Sequence, residues 1–341
     1  MSILVTGGAG FIGSNFILDW IDKKNEVIVN VDKLSYAGNL ENLLSIKANP
    51  NYFFIQGDIK DRSLLGQIFS KFKPRAVINF AAESHVDRSI YMPDIFIQTN
   101  VVGTFNLLEA TRSYFDSLPK NLKKSFRFLQ ISTDEIYGSL KMNEPPFVEE
   151  NCYKPNNLYS ATKAAGNHLS RAYYKTYEVP TIILNSSNNY GPYHFPEKLI
   201  PLSIANALSG KLISLYGDGK QIRDWLYVKD HCYAIRLVLE NGSIGESYNI
   251  GGHCEKTNEQ IIEMICSFLD LEYPRTDKKS YKNQIVYIKD RLGHDFRYSI
   301  NTSKIEKNLG WKPQENFEKG IKKTVRWYIH HMEWWKKRIN D

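Results

Sequence analysis

Cysteine is scarce in this chain, and the cysteines it has are scattered. Only Cys152, Cys232, Cys254 and Cys266 occur among 341 residues, and no two of them form a Cys-x-x-Cys pair. That argues against a disulfide scaffold and fits a protein of the reducing cytoplasm. Metal-ligand spacing is missing as well, since the histidines and carboxylates do not fall into a zinc-type pattern. No run of about 18 apolar residues occurs, so no segment is expected to span a membrane. The first residues, MSILVTGGAGFIG, lack the basic stretch, apolar run and cleavage site of a secretory leader. Finger, homeodomain and RNP-type motifs are absent too, which argues against nucleic acid as a partner.

The formal charge is +7, from 44 Lys and Arg against 37 Asp and Glu. The lysines are spread along the chain, so the balance suits attraction of a small anionic substrate better than a nucleic-acid face. A hydrophobic share of 42% with 24% charged residues is that of an ordinary globular protein, not a disordered one. At 341 residues the chain exceeds the roughly 250–300 at which a single core stops growing, so two packed domains are expected.

Apolar, β-branched segments at 3–6, 27–31, 52–56, 76–80, 126–132 and 181–185 read as strands. Helical patterns lie between them, among them 64–72, 95–114 and 159–177. Strands without polar alternation, separated by helices, predict a parallel sheet covered on both faces. The fold class expected is therefore α/β: a Rossmann-type parallel sheet with helices on both faces, plus a smaller mixed α/β C-terminal substrate domain. The first domain is expected over 1–190. A helix at 229–240 and a strand at 246–250 are expected to rejoin it, so that it regains about 229–251. The remainder of 191–341 forms the discontinuous second domain. A final helix is expected over 317–338, containing Trp327, Trp334 and Trp335 with several lysines; docking on its own domain is the favoured reading, with a membrane-surface helix as the alternative.

Gly7, Gly10 and Gly13 follow a strand and open a helix. In that setting the first glycine permits a tight turn, the second lets the backbone approach a pyrophosphate, and the third lets helix and strand pack closely. The free N–H groups of the helix start supply a positive field for phosphate. Asp32 ends the second strand, nineteen residues after Gly13. Its carboxylate can accept from ribose hydroxyls and would repel a 2′-phosphate, so NAD is the expected cofactor; the adjacent Lys33 weakens that discrimination. Asp58 can accept from the adenine amino group.

Tyr159 and Lys163 are four residues apart on a helix and share a face. The lysine is expected to lower the tyrosine pKa, so that a phenolate can take a proton from a sugar hydroxyl. Thr133, Asp134 and Glu135 follow an apolar strand, at the strand end where ligands sit in such sheets. Oxidation of an alcohol needs one base; two further carboxyl groups point to additional proton transfers, as elimination requires.

Together these segments resemble the nucleotide-sugar 4,6-dehydratases of the extended short-chain dehydrogenase/reductase superfamily, with the dTDP-glucose-specific group as the best match. The resemblance rests on TGGAGFIG (6–13), DKLSYAGNL (32–40), AAESHVDRS (81–89), STDEIYG (132–138) and YSATK (159–163). It continues through SSNNYGPYHFPEKLIP (186–201), YGDGKQIRDW (216–225), YNIGG (248–252) and DRLGHDFRY (290–298). It implies oxidation at C4 by Tyr159 with Thr133 and Lys163, removal of the C5 proton by Glu135, protonation of the leaving C6 hydroxyl by Asp134, and reduction at C6 by a retained NAD. Cofactor contacts are implied at Gly7, Gly10, Phe11, Ile12, Gly13, Asp32, Lys33, Leu34, Ser35, Asp58, Ile59, Ala81, Ala82, Thr99, Tyr159, Lys163 and Asn189. Substrate contacts are implied at Ser84, His85, Thr133, Asn188, Lys198, Leu199, Tyr216, Arg223, Asn258, Arg291 and His294. A homodimer is implied also. Two departures stand out: Leu158 precedes the tyrosine where proline is usual, and Cys254 replaces a common asparagine.

Other readings share part of this pattern. A dehydratase for UDP- or CDP-sugars would use much of the same diphosphate site. A 4-epimerase would share the glycines, Asp32, Tyr159 and Lys163 but not the adjacent Asp134 and Glu135. A nucleotide-sugar decarboxylase could use an acid near Glu135 but not the neighbouring aspartate. A non-catalytic NAD-binding regulatory protein would not be expected to keep all five catalytic candidates.

Overall fold

The structure is a computed structural model and describes residues 2–339. In chain order the strands are β1 (Ser2–Thr6), β2 (Val27–Asp32), β3 (Tyr52–Gln56), β4 (Pro74–Asn79), β5 (Arg127–Thr133) and β6 (Thr181–Ser186). There follow β7 (Asn188–Tyr190), β8 (Ile213–Tyr216), β9 (Ile222–Tyr227), β10 (Ser247–Ile250), β11 (Glu255–Thr257) and β12 (Ile285–Ile288). Seven of them form one sheet in the order β10-β6-β5-β4-β1-β2-β3. Every pairing in it is parallel.

Strand periodicity explains why the sheet is covered twice. Successive side chains point to opposite faces. Ile3 and Val5 pack on one side with Phe16 and Trp20 of helix Phe11–Lys23 and Val228 and Ile235 of helix Val228–Asn241. Leu4, between them, packs on the other side with Leu65, Phe69, Leu107 and Tyr173. All five residues of β1 are buried, as a central strand of such a sheet demands. The expected strand at 246–250 is β10, paired with β6, so chain from beyond residue 190 does return to the first sheet.

A separate apolar core lies in the C-terminal part. It joins Ile200 and Ile204, Trp225, Ile261 and Ile265, Ile321, Tyr328 and Trp335. Two small sheets frame it, β11-β9-β7 and β12-β8.

Two helical expectations need correction. The helix expected over 95–114 is not one regular helix. It runs as Pro93–Phe96, a π-helical stretch Ile97–Gly103, and Thr104–Ser117. The π segment carries Asn100, whose amide takes both the N–H and the C=O of Glu83 and also reaches Thr162 Oγ1 at 2.9 Å. Wound α-helically, the same residue would face elsewhere, and π turns concentrate where a side chain must be re-aimed. The final helix expected over 317–338 is two, Phe317–His330 and Met332–Ile339. The break at His331 turns Trp334 and Trp335 into the core. Trp335 Nε1 donates back to Tyr328 O at 2.9 Å, and Trp334 Nε1 donates to Asn42 Oδ1 at 2.9 Å. The helix end is thus docked on the protein. Among the described residues no helix is long and apolar enough to cross a membrane.

Candidate active site

In the large sheet the chain first winds outward through β2 and β3, then returns to β4 on the other side of β1. The crevice at the carboxyl ends of β1 and β4 is where ligands bind in such sheets. A cavity of about 740 Å³ opens there, between the first sheet and the C-terminal part.

The glycine turn forms one wall. Gly7 has φ +71°, and a Cβ on it would lie 2.5 Å from the Ala81 nitrogen. Gly13 approaches Gly7 O so closely that a Cβ would sit 2.5 Å away. Gly10 differs, because a Cβ there would meet only Gly7 O, at 3.3 Å. The space beyond it is open cavity. Helix Phe11–Lys23 starts at Gly10 with no side-chain cap and no acid in its first turn. Its free N–H groups are therefore available to a phosphate. Gly8, not singled out from the sequence, is needed for packing: a Cβ there would strike Asn30 Oδ1 at 2.3 Å.

Asp32 ends β2 at the cavity. Its carboxylate accepts the Ala9 N–H at 2.9 Å and the Leu34 N–H at 2.8 Å. Burial raises its pKa, against the pull of those two N–H groups and Lys33. Lys33 has partners of its own, with Nζ 3.1 Å from both Glu83 Oε1 and Thr99 Oγ1. Phe11, Ile12, Ser35, Ala81, Ala82, Thr99 and Asn189 all line the cavity. Leu34, Asp58 and Ile59 do not. Leu34 serves Asp32 through its backbone at φ +55°. Asp58 turns to its own loop, accepting the Lys60 N–H at 2.9 Å, and Ile59 is buried. The open cradle over Gly10 and the ribose-side carboxylate of Asp32 fit a dinucleotide.

At the far end of the cavity lie Thr133, Glu135, Tyr159 and Lys163. Thr133 ends β5 and caps the short 3-10 turn Asp134–Tyr137, accepting the Glu135 N–H at 3.3 Å. Asn157 caps helix Leu158–Tyr177 by accepting the Ser160 N–H at 2.9 Å, and Ser160 completes a capping box. This cap fixes Tyr159 in the first turn, so the helix start does not depend on a proline at Leu158. The substitution at Cys254 is also absorbed: its backbone N–H donates to Asp224 Oδ1 at 2.7 Å, whatever side chain it carries.

The electrostatics depart from expectation at Tyr159. Its pKa is raised well above that of an ordinary phenol, not lowered. Burial is the main cause, and the charge of Glu135 adds to it. Lys163 does not offset this here. Burial pushes Lys163 down to about 8, and its ammonium donates to Ile131 O at 2.6 Å. Asp134 and Glu135 are both raised. For Asp134 burial leads, with Glu135 and Asp224 adding; for Glu135 burial outweighs the attraction of Arg223, Arg291 and Lys198. Asp134 stands behind the cavity wall, not on it: only Thr133 Oγ1 bonds its Oδ1, at 3.3 Å, and its buried Oδ2 has no partner.

The substrate candidates Ser84, His85, Asn188, Lys198, Leu199, Tyr216, Arg223, Asn258, Arg291 and His294 all line the same cavity. Arg223 is buried against the Tyr298 ring and donates to the carbonyls of Ile222 at 2.7 Å and Asp295 at 3.0 Å. Lys198 Nζ donates to Ser84 O at 2.6 Å. Arg291 Nε and Asn188 Oδ1 are buried without partners, as groups awaiting a polar ligand would be.

Sequence reasoning passed over several lining residues. Tyr36 donates its hydroxyl to Glu197 Oε1 at 3.0 Å, beneath the Arg88 guanidinium. Asp87 and Tyr298 also line the wall. All four lie inside the motifs quoted above. No spacing rule separated them from their neighbours, since their convergence is made by loops distant in sequence.

Comparison with known proteins agrees with this geometry. A family model described as GDP-mannose 4,6 dehydratase matches residues 4–324. The chain is 54% identical to a dTDP-glucose 4,6-dehydratase of Xanthomonas campestris pv. campestris (strain B100), over 97% of this chain and 94% of that one. It is similar to the crystal structure of dTDP-glucose 4,6-dehydratase from Bacillus anthracis in complex with NAD, with a TM-score of 0.87 and 45% identity over 99% of both chains. The same enzyme from Streptomyces venezuelae, crystallised with NAD, gives a TM-score of 0.90 and 40% identity over 99% of this chain and 100% of that one. With the family model spanning most of its length and identity above one half to a full-length relative, this chain belongs to the dTDP-glucose 4,6-dehydratase family, within the extended short-chain dehydrogenases/reductases.

Proposed function

We propose that the cavity converts dTDP-glucose to dTDP-4-keto-6-deoxyglucose and water. The observation that carries this reading is the meeting of the cavity-lining carboxyl of Glu135, backed by the buried carboxyl of Asp134, with a Tyr–Lys pair beside an open glycine cradle. Gly7, Gly10, Gly13 and Asp32 would hold NAD, which supplies the hydride acceptor and donor and a positive ring that favours the Tyr159 phenolate.

Tyr159 takes the proton of the C4 hydroxyl, with the Thr133 hydroxyl beside it. With C4 a ketone, the C5 proton becomes acidic, and Glu135 removes it. Asp134, kept protonated by its burial, turns toward the cavity and protonates the C6 oxygen as the C6–O bond breaks and water leaves. Glu135 then returns its proton to C5 as C6 is reduced. The proton left on Tyr159 balances the one lost by Asp134, so the site closes its cycle. Arg223 and Arg291 match the diphosphate with forked donors, and Tyr216 offers a face for the base.

Residues 1–190, rejoined by about 229–251, form the NAD unit, and the rest binds the nucleotide-sugar. The enzyme works as a homodimer in the cytoplasm. Exposed Tyr91, Ile97 and Phe105 supply apolar surface for a partner subunit, and scattered cysteines without a bridge suit a reducing compartment.

The test incubates purified protein with dTDP-, UDP- and CDP-glucose without added NAD. The expected product comes from dTDP-glucose, is lighter by one water, carries solvent deuterium at C5, and carries at C6 a deuterium that began at C4. A C4 label still in place after turnover overturns the mechanism.

A further inference from the structure

Among the described residues, Asp87 is the one carboxylate that reaches from the first sheet's side of the cavity to both a proposed base contact and a proposed diphosphate contact. It lies in the first turn of helix Val86–Tyr91, two residues after the cap at His85. Its Oδ2 accepts from the Tyr216 hydroxyl at 3.4 Å, and its Oδ1 lies 3.5 Å from Arg291 Nη1. Both partners come from the C-terminal part: Tyr216 from the end of β8, Arg291 from the loop after β12.

That loop is fixed from its own side. Asp290 accepts the Arg291 N–H at 2.8 Å, bonds His294 Nδ1 at 2.7 Å, and accepts from Gln221 Nε2 at 3.2 Å. The loop backbone is therefore set within the C-terminal part, while the Arg291 guanidinium is aimed from across the cavity. Neither contact of Asp87 is short, and Arg291 Nε remains without a partner. An arginine held by one long ion pair, with a donor to spare, can still offer its fork to an anion. An arginine sunk into a tight bidentate pair cannot.

We infer that Asp87 is a positioning residue for the nucleotide arm of the substrate: it holds Tyr216 and Arg291 together across the cavity mouth, so that a nucleoside diphosphate finds its base and diphosphate contacts already assembled. The inference rests on the proposed nucleotide-sugar reading. It separates that arm from the chemistry, because the hydrogen bonds and ion pair of the Asp87 carboxylate go to Tyr216 and Arg291 and not to Thr133, Glu135, Tyr159 or Lys163.

The experiment compares wild type, Asp87→Asn, Arg291→Met and the double variant as NAD-loaded enzymes. It measures KM and kcat with dTDP-glucose, and the Kd of dTDP by calorimetry. In Asp87→Asn, KM and the Kd of dTDP are expected to rise together by about tenfold, with kcat changing less, because pre-organisation of a charged contact is lost. In the Arg291→Met background the same change should have much less effect, since the two residues act through one another. Asp87→Glu should recover part of the dTDP affinity. Unchanged or tighter dTDP binding in Asp87→Asn overturns the inference, and so does a fall in kcat with KM unmoved. If wild type binds dTDP but converts no dTDP-glucose, the functional reading fails while the positioning role is still decided by the dTDP measurements.

Discussion

The Lys163 ammonium donates to the Ile131 carbonyl at 2.6 Å, joining the helix that carries Tyr159 to the strand that carries Thr133. This bond ties together the two elements that carry the proposed catalytic groups. It also explains why a Tyr–Lys pair at helical spacing does not by itself make a phenolate. The charge is aimed at a carbonyl, and burial keeps both groups toward their neutral forms.

Lys163 should leave a pH signature in stability. Its pKa falls from 10.5 in the unfolded chain to about 8 in the fold. Between those values the unfolded chain holds a proton that the native state has lost, so this group makes stability rise with pH across that window. Below about pH 8 both states are protonated and the cost of burying the charge is fully present. Lys163→Met should remove this pH-dependent increment, read as the difference between the two urea unfolding midpoints from pH 7.5 to 10. Parallel curves refute it. The same variant should lose turnover by about a hundredfold or more.

Asp134 and Glu135 should show a trade of stability for chemistry. Both carboxyls have raised pKa values in the fold. A raised acid binds protons more readily in the native state, so its contribution to stability falls as pH rises from its unfolded value through its folded one. Asp134→Asn should therefore raise the melting temperature of the ligand-free protein by about 1–3 °C at neutral pH. Turnover should drop by about 10²–10⁴. A lower melting temperature would show that the aspartate's bond with Thr133 outweighs the cost of burying it.

Glu135→Gln separates oxidation from elimination. Exchange of the C5 hydrogen with solvent deuterium should stop while some C4 oxidation persists, seen as formation of bound NADH by its absorbance. If this variant dehydrates at the wild-type rate, the base has been assigned to the wrong residue.

The glycine turn allows a comparison of two alanines. A Cβ at Gly10 meets only Gly7 O, at 3.3 Å, whereas one at Gly13 meets Gly7 O at 2.5 Å and Gly8 Cα at 2.8 Å. Gly10→Ala should fold with a near-normal melting curve but copurify with little NAD. Gly13→Ala should cost about 1–3 kcal/mol in stability, because backbone must move. Equal NAD content in Gly10→Ala and wild type contradicts the cradle.

The terminal helix offers a test away from the cavity. Trp335 is 1% exposed and packs with Ile321 and Tyr328 in the C-terminal core. Trp335→Ala should destabilise by about 3–5 kcal/mol in chemical denaturation. A loss below about 1 kcal/mol would mean that this helix is not docked as described.

Much of this was readable from local pattern. The strand at 52–56 matches its observed bounds, and the other central strands shift by one or two residues at their ends. Apolar runs bounded by helix caps are local signals. The break at His331 was not legible, because amphipathic periodicity continues through it and the turn is imposed by Trp334 reaching Asn42, 292 residues away in sequence. The π segment at Ile97–Gly103 was hidden for the same reason: Asn100 is pulled toward Glu83 and Thr162, and neither partner lies in its own helix.

The sequence by itself determined the α/β class, the glycine turn with Asp32 behind it, and two local pairs, Thr133 with Glu135 at a strand end and Tyr159 with Lys163 on a helix face, since each depends on residue type at short spacing. Only the tertiary structure decided that Asp134 stands behind the cavity wall, that Lys163 spends its charge on Ile131, and that Tyr36, Asp87, Glu197 and Tyr298 face the same space. Those outcomes depend on burial and on contacts between segments far apart in the chain. Solvation and charge at a site follow from what surrounds it in space, and a local pattern carries no record of that.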